Sequence, residues 1–249
     1  CSGVSVFVVL KRLSFLSVGL SHSALGGIAI GLITGINPML TGIIFAVIVA
    51  LGTGIISRRR KISEDTAVGI LFSVGMALGI ILISMVKGYY PELFSLLFGN
   101  ILAVTVTDLY LLGAVMILVL LYGGIFLKEL LAICFDEEMA SVTGVPVAPL
   151  YLGMLVAMAV TIMVSVKVAG VVLASALLVI PAATGYRLSD NYRGMLLISL
   201  ATGLIGCVGG LALSYFLNAP SGATIVLTMT ALFLLAGLKK YRGRSTALK

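Results

Sequence analysis

The chain has 249 residues, of which 61% are hydrophobic and 10% are charged, and its mean hydropathy is +1.24. A water-soluble domain carries about 25% charged residues, so the composition excludes a soluble globular protein and predicts a chain that lies in the lipid bilayer. The net charge of +7 does not indicate nucleic-acid binding, because the basic residues are scattered between apolar stretches and no domain remains outside those stretches.

The apolar stretches are long enough to cross a bilayer, which takes about 20 apolar residues in a helix. Strands of a membrane barrel alternate polar and apolar residues, whereas the stretch 41–56 is apolar on every face. We therefore predict an all-α, polytopic transmembrane helical bundle of about eight or nine spans, with residues 1–249 forming a single domain. The predicted spans are 13–35, 38–57, 66–86, 108–127, 148–166, 168–186, 196–217 and 221–238.

Two apolar segments are too short to cross. Residues 1–10 precede Lys11 and Arg12, and we interpret them as the end of a truncated first helix. A signal peptide is excluded, because its charges would precede the apolar region. A lipoprotein also begins with cysteine, but a chain this apolar needs no lipid anchor. We expect the second short segment, 93–104, to be re-entrant or to lie at the outer surface.

The basic residues predict the orientation of the bundle. If Lys11 and Arg12 face the cytoplasm and sides alternate at each span, two of the 16 Lys and Arg residues, Lys87 and Lys167, fall outside and the other 14 fall on the cytoplasmic side. Cytoplasmic loops of membrane proteins are enriched in Lys and Arg. The C-terminal tail, 239–249, is therefore predicted to be cytoplasmic.

Glycine is frequent inside the spans. Gly27, Gly31 and Gly35 lie four residues apart, a spacing that lets helices approach closely in lipid. Ordinary packing explains this pattern, and a moving gate is the alternative. Pro181 lies near the inner end of a span, where it can kink or end the helix. We take Gly27, Gly31 and Pro181 as candidate gating or kink positions.

The sequence lacks catalytic motifs. It has neither His-Glu-x-x-His nor Gly-x-Ser-x-Gly, and the three cysteines have no C-x-x-C spacing that would indicate a metal site. It also lacks the Gly-x-x-x-x-Gly-Lys-Ser/Thr phosphate loop. The chain is therefore not predicted to be an enzyme, and any ATP hydrolysis that drives it must take place on another chain.

His22 is the single ionisable residue deep inside a predicted span. Ionisable groups in a membrane are costly and often functional, and neutral imidazole is a common ligand of transition metals. The other interpretation is a histidine whose ring is satisfied by a serine or a backbone carbonyl of the next helix. His22 is thus the candidate metal ligand or pathway residue.

Two predicted cytoplasmic loops carry helix signals. The first, 128–147, contains acidic residues that suit the positive end of a helix dipole, and it is either a solvated loop helix or a surface for a partner. Its acidic cluster is Asp136, Glu137 and Glu138. The second loop, 185–194, follows Pro181, and Ser189 or Asp190 can cap a short amphipathic turn there.

Five sequence pieces occur in a definite order along almost the whole chain: FVVLKRLSF at 7–15, LSHSA at 20–24, LFGNILA at 97–103, FDEEMA at 135–140 and VVLASALLVIPAAT at 171–184. This set resembles the membrane subunit of bacterial ABC importers for zinc, manganese or iron. The resemblance implies a homodimeric permease of a bacterial or archaeal cytoplasmic membrane, with an alternating-access pathway between its two copies. It also implies cytoplasmic ATPase subunits that bind ATP, an extracytoplasmic metal-binding protein, and a transported divalent metal rather than a cofactor held by this chain.

The second half of the chain, from Asp136 onward, is also similar to permeases for cobalamin and siderophores. In those proteins the loop after the proline-bearing span holds short coupling helices that sit in a groove of the ATPase. The positions that the resemblance implies for coupling are Arg187, Asp190, Tyr192 and Arg193. The 129–146 segment, with Asp136, Glu137 and Glu138, would then be a secondary contact.

One position departs from the family pattern. Family members often carry Asp four residues before the histidine, on the same helical face, and this chain has Val18 there. The loss of an oxygen ligand weakens a manganese-type site and slightly favours zinc. An ion-coupled secondary transporter is the alternative function, but it would need a carboxylate within a span, and Asp108 is predicted at an outer end. A structural scaffold protein is the third possibility.

Overall fold

The computed structural model describes residues 1–60, 62–85, 99 and 104–246, and for 59–60 and 239–246 it describes the backbone alone. The predicted 93–104 segment thus lies outside the described residues apart from Gly99 and Val104. The helices of the described part are α1 (Ser2–Leu10), α2 (Ser14–Thr34), α3 (Pro38–Arg60), α4 (Glu64–Met85), α5 (Val106–Ile125), α6 (Leu127–Phe135), α7 (Glu137–Val142), α8 (Val147–Leu177), α9 (Ile180–Leu188), α10 (Tyr192–Leu217) and α11 (Ser221–Thr246).

The predicted all-α transmembrane bundle is confirmed. Seven stretches of the described chain are long and apolar enough to cross a membrane, and one of them, Val147–Leu188, has 42 residues. A straight helix of that length would measure about 63 Å, roughly twice the thickness of the bilayer core. Gly170, with φ 82° and ψ 163°, breaks the helix inside this stretch. The two predicted spans 148–166 and 168–186 therefore share one continuous stretch.

The first half of α8 runs antiparallel to α3. Leu155 lies beside Gly54, and Met163, two turns further along α8, lies beside Gly42. Residues later in α8 thus contact residues earlier in α3, which is the pattern of antiparallel helices. A Cβ on Gly42 would lie 2.5 Å from the Met163 methyl carbon, and one on Gly54 would lie 2.7 Å from Leu155 Cδ1, so side chains of α8 pack directly against these two glycines.

Beyond Gly170, the chain follows α11. Leu173 packs in a buried cluster with Ile225 and Met229, and the Arg187 side chain on α9 lies over Phe233, one turn beyond Met229. The contacted position on α11 moves forward as the chain advances, so this part runs parallel to α11. Gly170 thus separates two segments that pack in different parts of the bundle.

The main hydrophobic core lies where α2, α3 and α4 meet the first half of α8. Its largest fully buried side chains include Leu16 and Leu20 of α2 and Met158 and Ile162 of α8. A second group consists of α9, α10 and α11, against which α1 packs through Val6. The two groups are joined by α8, so movement of one group relative to the other acts on this helix.

Gly27 and Gly31 are where α2 touches α3. A Cβ on Gly27 would lie 2.8 Å from the Cα of Gly42, and one on Gly31 would lie 2.7 Å from the Cα of Pro38. These contacts are backbone to backbone, so the two glycines are packing positions, and a gating role for them stays a prediction. Pro181 begins α9 rather than ending a helix: the chain is interrupted at residues 178–179, just before it.

Candidate functional site

The ring of His22 lies on a face of α2 that the other described residues leave partly open. His22 is half-buried, and Val18 and Phe15, one and two turns before it, are exposed large hydrophobic residues. The edge of the ring meets Phe72 of α4 in a T-shaped contact, with the ring centroids 5.7 Å apart. The histidine thus lies at the border between the core and an uncovered surface.

The imidazole has one nitrogen bound and one available. Its Nδ1 lies 3.0 Å from the backbone carbonyl oxygen of Val18. Because a carbonyl oxygen can accept but not donate, Nδ1 carries the proton, and in the neutral ring Nε2 keeps its lone pair. This arrangement, in which one nitrogen donates to a carbonyl and the other is free, is the one found in metal-bound histidines.

No ready-made metal site accompanies His22. Across the part of the chain that the structure describes, no three His, Cys, Asp or Glu side chains lie close enough together to hold a metal ion. Burial raises the pKa of the Cys134 thiol to about 11, so this thiol is protonated at neutral pH. Among the described residues, a metal at His22 therefore finds no preformed set of three such ligands.

The four positions predicted for coupling lie together where α9 ends and α10 begins. The Asn191 side chain caps α10 by accepting a hydrogen bond from the Gly194 amide at 2.7 Å. Asp190 is exposed just before it. Tyr192 is half-buried and accepts a hydrogen bond of 3.2 Å from the Nε of the exposed Arg193. These groups present a polar turn at one end of the bundle.

Arg187 differs from its three neighbours because it also holds the fold. Its guanidinium lies over the ring of Phe233, 5.6 Å from the centroid, and beside Gly237 of α11. A Cβ on Gly237 would come within 2.8 Å of the guanidinium carbon. Arg187 thus ties the end of α9 to α11. Whether these four residues act in coupling is not tested by these contacts and stays a prediction.

The three acidic residues predicted as a secondary contact have three different environments. The Asp136 carboxylate caps α7, accepting hydrogen bonds from the amides of Glu138 and Met139 at 2.9 and 3.0 Å. Glu137 turns inward, and its carboxylate lies 2.6 Å from the Lys11 ammonium. Glu138 is exposed. Of the three, Glu138 is the one whose carboxylate has no structural contact of this kind among the described residues.

Glu137 belongs to a charged network that no motif in the sequence indicates. Its second oxygen lies 3.8 Å from an Arg58 nitrogen, and the Tyr151 hydroxyl donates a hydrogen bond to Glu64. The cations of Lys11 and Arg58 lie 5.8 and 5.5 Å from the centroid of the Tyr151 ring. This inner network, as we call Lys11, Arg58, Glu64, Glu137 and Tyr151, joins α3, α4, α7 and α8 to the segment that follows α1.

Asp108 and Lys167 form an ion pair at the start of α5. Asp108 is buried and also takes part in a capping box with Thr105, whose amide and hydroxyl donate to it at 3.0 and 2.8 Å. This carboxylate is therefore at a helix terminus and paired, not free in the middle of a span. The feature that an ion-coupled secondary transporter would need is not supplied by Asp108.

Comparisons with known proteins agree with this architecture. The model of the ABC 3 transport family matches residues 1–240. The manganese transport system membrane protein MntC of Halalkalibacterium halodurans is 34% identical over 236 residues, which is 95% of this chain and 81% of that protein. The high-affinity zinc uptake system membrane protein ZnuB of Haemophilus influenzae is 30% identical over 239 residues, 96% of this chain and 92% of that protein.

A solved structure is similar along the same length. It is described as PsaBC from Streptococcus pneumoniae in complex with Fab, and the matching chain superimposes with a TM-score of 0.82 at 35% sequence identity. The match covers 94% of this chain and 84% of that one. The similarity therefore extends over both groups of helices rather than over one motif.

Proposed function

Because the chain belongs to the ABC 3 transport family, we infer that it is the membrane permease subunit of an ABC importer for divalent metal ions. The observation that carries this inference is the match of family, relatives and fold over nearly the whole chain. Manganese and zinc are the proposed substrates, since the relatives quoted above are named for these two metals. None of those relatives is named for iron, which the sequence resemblance also implied.

The proposed pathway runs along the open face of α2. His22 points its free nitrogen away from the Val18 carbonyl, and the described residues contain no group of three His, Cys, Asp or Glu side chains that would form a complete metal site. A second copy of the permease facing this surface would bring a second His22 to the same pathway. A site with few fixed ligands binds metal weakly and releases it quickly, which suits conduction.

ATP is proposed to bind to and be hydrolysed by separate cytoplasmic subunits. Arg187, Asp190, Tyr192 and Arg193 are the residues proposed to couple these subunits to the bundle, and the clustering of all four at the turn between α9 and α10 supports this role. The concentration of basic residues at one set of loop ends supports a cytoplasmic C-terminus in the cytoplasmic membrane. An extracytoplasmic metal-binding protein would deliver the substrate to the opposite face.

ATPase activity of the reconstituted complex tests the function. With the permease, the ATPase subunits and the metal-binding protein in proteoliposomes, we expect manganese or zinc to stimulate ATP hydrolysis, and the stimulation to disappear without the binding protein. The matched control is magnesium alone, which should not stimulate beyond the basal rate. If neither metal changes the rate in the complete complex, the chain is not a metal permease.

The His22→Ala variant is expected to lose most of its metal uptake. Removal of the imidazole leaves the open face without its candidate ligand. If the lost contact raises the barrier to metal passage by about 1.4 kcal/mol, the rate of uptake falls about tenfold. Leu25→Ala is the matched control, because Leu25 lies one turn further along the same half-buried surface and cannot bind metal. Uptake of radioactive manganese or zinc is measured at equal amounts of assembled complex. Equal uptake by the wild type and His22→Ala would remove His22 from the mechanism.

A further inference from the structure

Three large apolar side chains are exposed in the short segment between α5 and α8. Phe135 is 74% exposed, Met139 is 63% exposed and Val142 is 82% exposed. They lie at the end of α6 and along α7, helices of nine and six residues that are too short to cross a membrane. Lipid tails cover the exposed apolar residues of the long spans, but they do not account for the exposure of these three. We call Phe135, Met139 and Val142 the α7 patch.

The charge around the α7 patch disfavours a lipid surface. Residues 136–146 contain three acidic residues and no Lys or Arg. Glu137 is paired with Lys11, and the carboxylates of Asp136 and Glu138 remain at the exposed edge. Anionic headgroups attract basic segments and repel acidic ones. The surface chemistry instead matches a protein that presents an apolar pocket with Lys or Arg at its rim.

Contacts with the core and with two basic side chains fix the position of the α7 patch. Asp136 caps the helix, Ala140 is buried against the main core, and Glu137 is bound by Lys11 and Arg58. A preformed surface loses little conformational entropy when a partner binds. The same contacts connect the patch to the inner network, so a force on α7 acts directly on the end of α3.

We propose that the α7 patch is a second docking surface for the ATPase subunit, in which Phe135, Met139 and Val142 enter an apolar pocket rimmed by basic residues. This inference rests on the proposed function and adds three apolar residues to the secondary contact predicted from the sequence. In this proposal Asp136 and Glu137 fix the surface, while the apolar side chains and Glu138 meet the partner.

Site-specific photocross-linking in the assembled complex tests the proposal. A benzophenone amino acid is placed at Met139, at Leu188 next to the proposed coupling turn, or at Ile125, an exposed residue at the end of α5 that serves as the lipid-facing control. We expect cross-links to the ATPase subunit from positions 139 and 188 and none from position 125. The yield from position 139 should exceed that from position 125 by about tenfold or more.

The outcomes separate this inference from the proposed function. Cross-links to the ATPase from position 188 but not from 139, or cross-links from 139 to lipid or to another protein, overturn the α7 patch and leave the permease function standing. Failure of any ATPase to assemble with the permease overturns the function itself. A second measurement compares Met139→Arg with Met139→Glu. A basic rim on the ATPase pocket would repel arginine and attract glutamate, so we expect the arginine variant to retain less ATPase. Equal retention by both variants and the wild type also overturns the inference.

Discussion

Replacement of Gly185 with alanine is expected to lower metal uptake by about fivefold or more while the permease remains assembled. Gly185 lies in α9, where this helix crosses the start of α10, and the added Cβ would lie against the carbonyl group of Met195, 3.2 Å from its carbon atom. The obstacle is backbone, so α9 itself must move. Overpacking of this kind costs about 1–3 kcal/mol, and an allosteric coupling changed by that amount alters activity about 5- to 150-fold.

The Gly185→Ala variant should hydrolyse ATP without proportionate transport, because the displaced α9 carries Arg187 and leads into the proposed coupling turn. Uptake and ATP hydrolysis are measured together in proteoliposomes. Gly113→Ala is the matched control, since no atom lies within 4 Å of the position its Cβ would take. If the Gly185 and Gly113 variants transport equally well, the close crossing of α9 and α10 is not required for coupling.

The sequence was sufficient for the spans because each one is encoded locally. A run of about 20 apolar residues forms a helix in lipid wherever it occurs, since its backbone groups can be satisfied in no other way. The acidic cluster at 136–138 was likewise readable, because a capping carboxylate acts on amides two or three residues away, as Asp136 does. Such signals need no knowledge of the tertiary fold.

The inner network could not be predicted, because its residues are far apart in the sequence. Glu137 meets Lys11 and Arg58 across 126 and 79 residues of chain, and no periodicity in the sequence records such a pairing. For the same reason the sequence grouped Glu137 with Asp136 and Glu138, although burial and ion pairing separate them. His22 was identified because it is the single ionisable residue deep inside a predicted span, but the hydrogen bond that leaves its Nε2 available appears only in the structure.

The helix break at Gly170 could not be located from the sequence. The sequence predicted a boundary near residue 167, where Lys167 separates two apolar runs, but nothing in the sequence distinguishes Gly170 from the other glycines of the spans. In the structure, it alone within α8 leaves the helical region. A glycine that packs between helices and a glycine that interrupts a helix are identical in the sequence. They differ only in their backbone angles, which the sequence does not give.

Replacement of Gly170 with alanine is expected to destabilise the bundle. Its φ of 82° and ψ of 163° fall in a region that glycine alone occupies readily, and a side chain held there costs about 1–3 kcal/mol. The surroundings leave little room to relax, because Gly99 approaches so closely that a Cβ on it would lie 2.8 Å from the Gly170 nitrogen. For a chain of this size, the melting temperature in detergent should fall by about 2–12 °C.

The control for this strain is a glycine in ordinary helical geometry. Gly124→Ala places its Cβ where no atom lies within 4 Å, and alanine favours the helix over glycine by about 1 kcal/mol. Its melting temperature should therefore stay the same or rise. Asparagine tolerates the left-handed helical region but not this more extended ψ, so Gly170→Asn should melt as early as Gly170→Ala. If both Gly170 variants melt with the wild type, the chain does not need this backbone angle to connect its two spans.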